Sequence, residues 1–329
     1  MWGGERRSVS ISTGKERLMN EENRKAIRIS VRNLVEFVLR SGDIDNRRSG
    51  NAQKDAMLAG GRIHRKIQKR MGSGYRAEVP LKHEVQDEEQ EITLLVEGRA
   101  DGIFTENGIP VIDEIKGMYT DISRLEEPIE VHLAQAMCYG YFYCCDKDLD
   151  GIRLQMTYCN LETEEIKRFQ TDRSREELET WFSGVVHEYF KWARYLYHHE
   201  LTRDASIGHL EFPFPYRAGQ RDLVVSVYRT VSRKKRLFIQ APTGIGKTLS
   251  TVFPAVRAIG EGKGDKLFYL TAKTVTRTVA EEAFRILRDH GLIFTSVTIT
   301  AKEKLCPMDE CECNPDACPY AKGHFDRVN

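Results

Sequence analysis

Two carboxylates and a lysine on neighbouring β-rich runs form the first candidate site. "GRADGIF" carries Asp101, and "VIDEIKG" carries Glu114 and Lys116. Strand alternation places Glu114 and Lys116 on one face of their strand and Asp113 on the other. Hard divalent cations bind carboxylate oxygens, and an adjacent lysine orients water or offsets charge on a phosphate. The pattern predicts metal-dependent phosphodiester chemistry, with ordinary alternating surface charge as the alternative.

Three further side chains extend this site. His64 in "GGRIHRKIQ" lies on a predicted helix, where its imidazole is a candidate third metal ligand. Gln135 and Tyr139 in "HLAQAMCYGY" are four residues apart, so they share one helical face behind the site. A structural histidine and ordinary packing of the helix are the alternative interpretations.

A phosphate-binding loop is the second candidate site. "RLFIQAPTGIGKT" is an apolar run, a glycine loop and the start of a helix. Backbone N–H groups of such a loop cradle phosphates, Lys247 reaches the β and γ positions, and Thr248 contacts Mg²⁺. Ala241 stands where the general pattern has its first glycine. The remaining candidate ATP-binding residues of the loop are Thr243, Gly244 and Gly246.

Four cysteines near the end of the sequence form the third candidate site. They lie in a Pro- and Asp-rich segment without apolar periodicity, which cannot bury a core of its own, so four thiolates around a metal would fold it. Zinc and iron-sulfur clusters both accept four cysteinates. The four are Cys306, Cys311, Cys313 and Cys318. The other four, Cys138, Cys144, Cys145 and Cys159, fall on predicted apolar elements and are expected to be buried.

The composition limits the class of protein. At 329 residues the chain is long enough for two domains. Its 50 basic and 49 acidic residues give a net charge of +1, so any nucleic-acid surface must be a local patch. No apolar run has the length of a signal peptide or membrane span. We therefore expect a cytoplasmic protein with no membrane partner and with reduced or metal-bound thiols.

The elements that must position these sites can be read from periodicity. Helices are predicted in "ISVRNLVEFVLRSG", "NAQKDAMLAGGRIHRKIQKRM" and "IEVHLAQAMCYGYFYCC". Strands are predicted in "YRAEVPLKHEV", "EITLLVEGRADGIF" and "IPVIDEIKG", and a hairpin around "NLETEE". A long helix is predicted to open at Ser174, with Glu177 completing a capping box. Further strands are expected at "RLFIQ", "KLFYL" and "SVTIT".

These patterns predict an α/β protein of two domains. Residues 1–18 read as a disordered extension, and residues 19–202 as the domain of the first site. Periodicity weakens and Pro and Gly become more frequent near 203–212, so the second domain is placed at 203–329. It contains the cysteine segment 306–318.

The first domain resembles a known nuclease family. The ordered motifs "RIHRK", "GRADGIF", "DEIK" and "QAMCY" resemble those of PD-(D/E)XK nucleases of the RecB family. The resemblance implies that His64, Asp101 and Glu114 bind Mg²⁺ or Mn²⁺ and that Lys116 is the catalytic lysine. The accompanying motif on the DNA side would consist of Gln135 and Tyr139.

The second domain resembles the XPD/DinG branch of superfamily 2 helicases. "FPYRAGQ" looks like the element that contacts adenine, through Arg217 and Gln220, and "KLFYLTAKTVTRTVAEEAFRIL" looks like motif Ia, which touches single-stranded DNA. In that branch a [4Fe-4S] domain follows motif Ia, which favours iron-sulfur over zinc at the four cysteines. The resemblance implies a partial RecA-like domain that binds ATP with Mg²⁺. Because no Asp-Glu box follows, we expect a fragment that does not itself hydrolyse ATP or unwind DNA.

Three functional interpretations stay open at this point. The first is an ATP-dependent DNA helicase fused to an active metal-dependent nuclease. The second is a helicase whose degenerate nuclease fold only binds DNA. The third is a stand-alone nuclease with a metal-binding tail.

Overall fold

The computed structural model describes residues 25–47, 52–87, 89, 91–242, 244–272 and 277–328. The extension expected at residues 1–18 lies outside the described residues. Within them the chain divides into two compact units. The first unit ends at Arg194 and also includes the residues from Met308 onward, and the second unit is Tyr195–Pro307.

A mixed six-stranded sheet forms the centre of the first unit. Parallel pairings join β1 to β3 and β4 to β5, and the other three pairings are antiparallel. The strand order is β1-β3-β4-β5-β6, and β2 lies off this path and pairs with β3. The strands are β1 Lys25–Ser30, β2 Arg76–Gln86, β3 Ile92–Glu106, β4 Ile109–Met118, β5 Gly151–Asn160 and β6 Ile166–Ser174.

Eight α-helices occur within the described residues. They are α1 Val31–Leu39, α2 Ala52–Arg70, α3 Glu130–Lys147, α4 Arg175–Gly208, α5 Gln220–Ser232, α6 Lys247–Gly260, α7 Arg277–Asp289 and α8 Lys302–Leu305. Short 3₁₀ turns cover Ile122–Arg124 and Phe325–Arg327. None of the helices in these described stretches is long and apolar enough to cross a membrane.

The predicted capping box of α4 is confirmed. The Ser174 hydroxyl accepts a hydrogen bond from the Glu177 amide at 3.1 Å, and the Glu177 carboxylate accepts one from the Ser174 amide at 2.8 Å. Each side chain satisfies a backbone donor that the first turn of a helix leaves unpaired. The helix then continues to Gly208, which lies inside the stretch 203–212 where the sequence pattern weakens.

The two faces of β4 divide as strand alternation predicts. On one face Asp113 is fully buried, where it accepts hydrogen bonds from Tyr75 at 2.8 Å, Gln155 at 3.0 Å and Thr157 at 2.6 Å. Burial raises the pKa of Asp113, and these three donors act against that rise. Since its oxygens are already bound, Asp113 is a structural group, and the opposite face of β4 is left to Glu114.

Three cysteines of the first unit are buried as predicted. Cys138 and Cys144 lie on α3, and Cys159 lies on β5 against Ile63, Ile67 and Ile115. Burial raises the pKa of the Cys138 thiol, which keeps it protonated and unreactive. Cys145 is half-buried.

The second unit packs helices but forms no sheet among its described residues. An apolar cluster that includes Ile207, Val256 and Leu287 holds its helices together. The three strands expected at residues 236–240, 266–270 and 296–300 were a wrong prediction for this structure, because these segments have no strand pairing. A strand needs a hydrogen-bonded neighbour to be stable.

Each of these three segments exposes a large apolar side chain to solvent. Phe238 is 93% exposed, Leu270 is 88% exposed and Ile299 is 91% exposed. A groove of about 820 Å³ lies beside the second and third segments and is lined in part by α7. These short apolar runs have the composition of strands, but the described residues of the second unit do not pair them into a sheet.

Candidate functional site

The acid and lysine of β4 form a hydrogen-bonded group with α3. Lys116 Nζ donates to Glu114 Oε1 at 2.7 Å and to Gln135 Oε1 at 2.8 Å. Glu114 and Gln135 are only 4% and 5% exposed. The two residues reach each other through Lys116 because α3 packs across β4 and β5. The structure thus brings together three of the side chains that the sequence nominated.

Asp101 is positioned where β3 and β4 separate. The pairing of these strands ends at Gly102 and Asp113, and beyond it Asp101 Oδ2 accepts the Ile115 N–H at 2.7 Å. A side chain therefore takes the place of a backbone carbonyl in the ladder. This bond fixes the direction of the Asp101 carboxylate and leaves Oδ1 for another partner.

That partner is His64 on α2. Its Nδ1 lies 3.3 Å from Asp101 Oδ1. One turn further along α2, Gln68 donates to the Asp101 carbonyl at 3.0 Å, which ties the helix to β3. Gln68 was missed by sequence reasoning, since its spacing of four residues from His64 is the only signal for it and is shared by many helical surfaces.

Burial and charge shift the protonation of this group. Burial raises the pKa of Glu114 to about 7, a rise that Lys116 opposes and Asp101 reinforces. Burial lowers the pKa of His64, but the hydrogen bond and charge of Asp101 outweigh that effect and raise it overall. A carboxyl whose pKa is near 7 and which lies beside a lysine is common in active sites, and structural ion pairs also produce it.

Tyr139 packs behind the group against a glycine. A Cβ at Gly98 would lie 2.5 Å from the Tyr139 hydroxyl, so only glycine allows the ring to approach β3 this closely. The hydroxyl also makes a hydrogen bond with the backbone of Arg99. Tyr139 is 6% exposed and acts as a support for β3 at the site. A glycine inside the strand pattern "LLVEGRAD" was the signal for this contact.

The donor set suits a hard divalent cation, but its side chains are turned toward each other. Glu114 Oε2 is buried and has no hydrogen-bond partner among the described residues, so it is available as a ligand. Glu114 Oε1 instead binds Lys116, and Asp101 binds His64. As arranged, no three His, Cys, Asp or Glu side chains in the described stretches surround a common point.

The phosphate-binding loop leads into α6. Gly244 and Gly246 have φ of 84° and 78°, a conformation that favours glycine. Lys247 Nζ donates to the carbonyls of Ala241 at 3.0 Å and Pro242 at 2.8 Å, so the ammonium is folded back on the loop. Thr248 Oγ1 lies 3.4 Å from a tyrosine hydroxyl. Thr243, also nominated by the sequence, lies outside the described residues.

Arg217 and Gln220, which the resemblance assigned to adenine, lie beside this loop. Arg217 donates a hydrogen bond to the Gly244 carbonyl, and Gln220 accepts one from the Arg217 amide at 3.0 Å. A Cβ at Gly246 would lie 2.7 Å from Gln220 Nε2, so a larger residue there would displace the Gln220 side chain. Gln220, the first residue of α5, and Arg217, just before it, therefore both lie against the loop.

The four C-terminal cysteines do not fall in one unit. Cys306 belongs to the second unit, and Cys311, Cys313 and Cys318 belong to the first. The sulfur atoms of Cys311 and Cys313 are 4.0 Å apart, and Cys318 is 6% exposed. One cysteine pair is therefore close enough to share a ligand, and the described residues contain no group of three.

Comparisons with known proteins add a local similarity. No family model matches the sequence. A probable ATP-dependent helicase of Methanocaldococcus jannaschii is 36% identical over 52 residues, which is 15% of this chain and 8% of the helicase. The crystal structure of SSO0001 aligns with a TM-score of 0.33 and 17% identity, over 53% of this chain and 82% of that chain. The match spans a small part of the helicase, and the structural likeness is too low to define the fold.

Proposed function

We propose that the first unit is a metal-dependent DNA nuclease of the PD-(D/E)XK type that hydrolyses phosphodiester bonds. One observation carries the proposal: Glu114, Lys116 and Gln135 share hydrogen bonds at 2.7 and 2.8 Å, and Glu114 Oε2 is buried with no hydrogen-bond partner in the part of the chain that the structure describes. A structural ion pair has no need of such an oxygen, since leaving a buried carboxylate oxygen unbonded costs free energy. A ligand that binds it would recover that cost.

The chain's own residues have distinct roles in this proposal. Asp101 and Glu114 would hold the cation, with His64 as a third ligand. A bound Mg²⁺ or Mn²⁺ supplies charge neutralisation and a more acidic water. Lys116 holds a positive charge at the site, where it stabilises negative charge that develops on a phosphate. Gln135 fixes the direction of the Lys116 ammonium through its 2.8 Å bond.

Cleavage of end-labelled single-stranded and duplex DNA in Mn²⁺ or Mg²⁺ tests this proposal. The wild-type chain is compared with Asp101→Ala and Lys116→Ala, and with Lys147→Ala as the control. Lys147 is half exposed at the end of α3, where it pairs with Asp146. We expect the first two variants to lose at least about a hundredfold in rate and the control to cut normally. Equal cutting by wild type and Lys116→Ala contradicts the proposal.

A second candidate function is DNA binding without cleavage. The observation in its favour is that the described residues hold no ready group of three metal ligands. Under this alternative the Glu114–Lys116 pair is structural, and the first unit only holds DNA for a motor. A chain that binds labelled DNA in Mn²⁺ and never cuts it supports this alternative over the nuclease.

The second unit is proposed to belong to a DNA helicase motor that binds ATP with Mg²⁺. The support is the loop itself, in which Gly244 and Gly246 have positive φ directly before the N-terminus of α6, the kind of helix end that binds phosphate through backbone N–H groups. Arg217 and Gln220 brace that loop and would lie beside the nucleotide. The local identity with a probable ATP-dependent helicase agrees with this role. Single-stranded DNA is the proposed partner of this motor. The alternative for the whole protein is a stand-alone nuclease.

The four cysteines are proposed to hold a [4Fe-4S] cluster, with zinc as the alternative. The support is their spacing in a segment that lacks a core, together with the 4.0 Å approach of the Cys311 and Cys313 sulfurs. Cys318 is already buried.

A further inference from the structure

An extended segment after α1 pairs with the segment that carries the cysteines. We name residues 42–46 the strap. Every second amide of the strap donates to the C-terminal residues: Ile44 donates to the Ala321 carbonyl at 2.9 Å, and Asn46 donates to the Cys313 carbonyl at 2.8 Å. Spacing by two residues is that of a β-strand edge, so the strap presents one edge to the cysteine segment.

Side chains reinforce this pairing in both directions. Asp326 Oδ1 accepts the Gly42 amide at 2.7 Å, and Asp43 Oδ1 accepts the Gly323 amide at 2.6 Å. The Phe325 amide donates to the Gly42 carbonyl at 2.9 Å. Hydrogen bonds to charged acceptors are stronger than those between neutral groups. The strap is therefore bound at its first two residues by a reciprocal pair of aspartates.

Two long side chains flank the strap and extend the contact. The Arg40 guanidinium lies 3.7 Å from the centre of the Phe325 ring, in cation–π geometry. At the other end Arg47 forms an ion pair with Asp316 at 2.6 Å. Contacts thus run from the last turn of α1 to the end of the strap.

The cysteine segment depends on contacts of this kind for its shape. Between residues 308 and 328 its regular structure is one 3₁₀ turn, and its buried residues are Asn314, Cys318 and Ala321. Three small buried residues cannot offset the conformational entropy of ordering such a segment. The strap contributes hydrogen bonds that the segment does not make internally.

We propose that the cysteine segment is a clasp for the first unit, which holds the strap and, through it, the end of α1. Helix α1 packs on α3, and α3 carries Gln135, the partner of Lys116. A change at the cysteines would therefore alter how α1 packs on α3, behind the candidate nuclease site. The clasp does not depend on what chemistry that site performs.

Hydrogen exchange of the full chain, read by mass spectrometry without DNA, tests the clasp. The double variant Asp43→Ala/Asp326→Ala removes both charged acceptors, and Asp309→Ala is the control in the same segment. We expect amides 42–46 to exchange at least about tenfold faster in the double variant and unchanged in the control. Unchanged exchange at 42–46 in the double variant overturns the proposal.

A second pair of variants tests the link to the cysteines. Cys313→Ser alters a residue whose carbonyl binds the strap, and Cys145→Ser is the control on α3. Faster exchange at 42–46 in Cys313→Ser alone supports a clasp that responds to its cysteines. Equal exchange in both overturns that link. Neither readout uses DNA cleavage, so a chain that fails to cut DNA still reports on the clasp.

Discussion

Replacement of Glu114 by glutamine should stabilise the metal-free protein at high pH and not at low pH. Burial raises the pKa of this carboxyl from 4.5 to about 7. A raised carboxyl pKa gives stability that is present below the unfolded value and is lost as pH rises through the folded value. Glutamine has the same shape and carries no charge, so it escapes the cost of a buried carboxylate.

The size of the effect follows from the two pKa values. When the pH rises from about 5 to about 8, ionisation of Glu114 lowers the free energy of unfolding of the wild type by about 2 to 3 kcal/mol. For a unit of this size each kcal/mol changes the melting temperature by about 2 to 4 °C. The advantage of Glu114→Gln should therefore grow by about 5 to 10 °C between these two pH values. Any loss from the weaker bond to Lys116 is nearly independent of pH and cancels in this difference.

Tryptophan fluorescence during heating measures this difference in the first unit. Trp181 and Trp192 both lie on α4 before the end of that unit, and Trp2 lies outside the described residues. Samples contain EDTA so that no cation pairs with the carboxylate. Glu97→Gln is the control, since Glu97 is exposed on β3. An advantage of Glu114→Gln that does not grow with pH would refute the assignment of a buried, strained charge at this position.

Two further predictions concern the support of the site. Gly98→Ala should destabilise the first unit by about 1 to 3 kcal/mol in urea unfolding, because the new Cβ would lie 2.5 Å from the Tyr139 hydroxyl. Gly74→Ala is the control and should have little effect, because a Cβ there meets open space. Equal destabilisation by the two substitutions would contradict the contact between Gly98 and Tyr139. His132 lies on α3, where burial and the Lys116 charge lower its pKa to about 4. The stability that its neutral form contributes is therefore full above pH 6.5 and falls as pH drops toward 4. His132→Asn should flatten that fall in urea titrations at several pH values, and an unaltered profile would show that His132 does not titrate on unfolding.

Local patterns predicted the first unit well because its elements follow local rules. The alternation of "EITLLVEGRADGIF" and "IPVIDEIKG" gave β3 and β4, and the Ser174 capping box opened α4. Strand β1 was missed, since its six residues, Lys25–Ser30, include charged side chains and pair with β3 in parallel across a long stretch of sequence. Such non-local pairing leaves little trace in a short sequence window.

The expected strands of the second unit failed for the opposite reason. "RLFIQ", "KLFYL" and "SVTIT" have strong β-propensity, but propensity acts only when a neighbouring strand provides hydrogen bonds. In the described chain these segments have no such neighbour and expose Phe238 and Leu270. The sequence therefore showed the β-propensity of these segments, and the missing neighbour prevented them from forming strands.

The candidate site divides in the same way. The face shared by Glu114 and Lys116, and the helical face of Gln135, follow from periodicity alone. The Gln68 bond to the Asp101 carbonyl and the close approach of Tyr139 to Gly98 depend on how α2 and α3 pack, which periodicity does not determine. Positioning residues of this kind are found only once the elements are assembled.

Paired measurement of Mn²⁺ binding and DNA cleavage by wild type and Lys116→Ala tests the central claim most directly. Free Mn²⁺ is followed by electron paramagnetic resonance, and cleavage of labelled single-stranded DNA is followed in the same samples. If Asp101 and Glu114 hold the cation and Lys116 serves the reaction, both proteins bind Mn²⁺ and only the wild type cuts. Cutting by both proteins, or binding by neither, would contradict a nuclease site built on these residues.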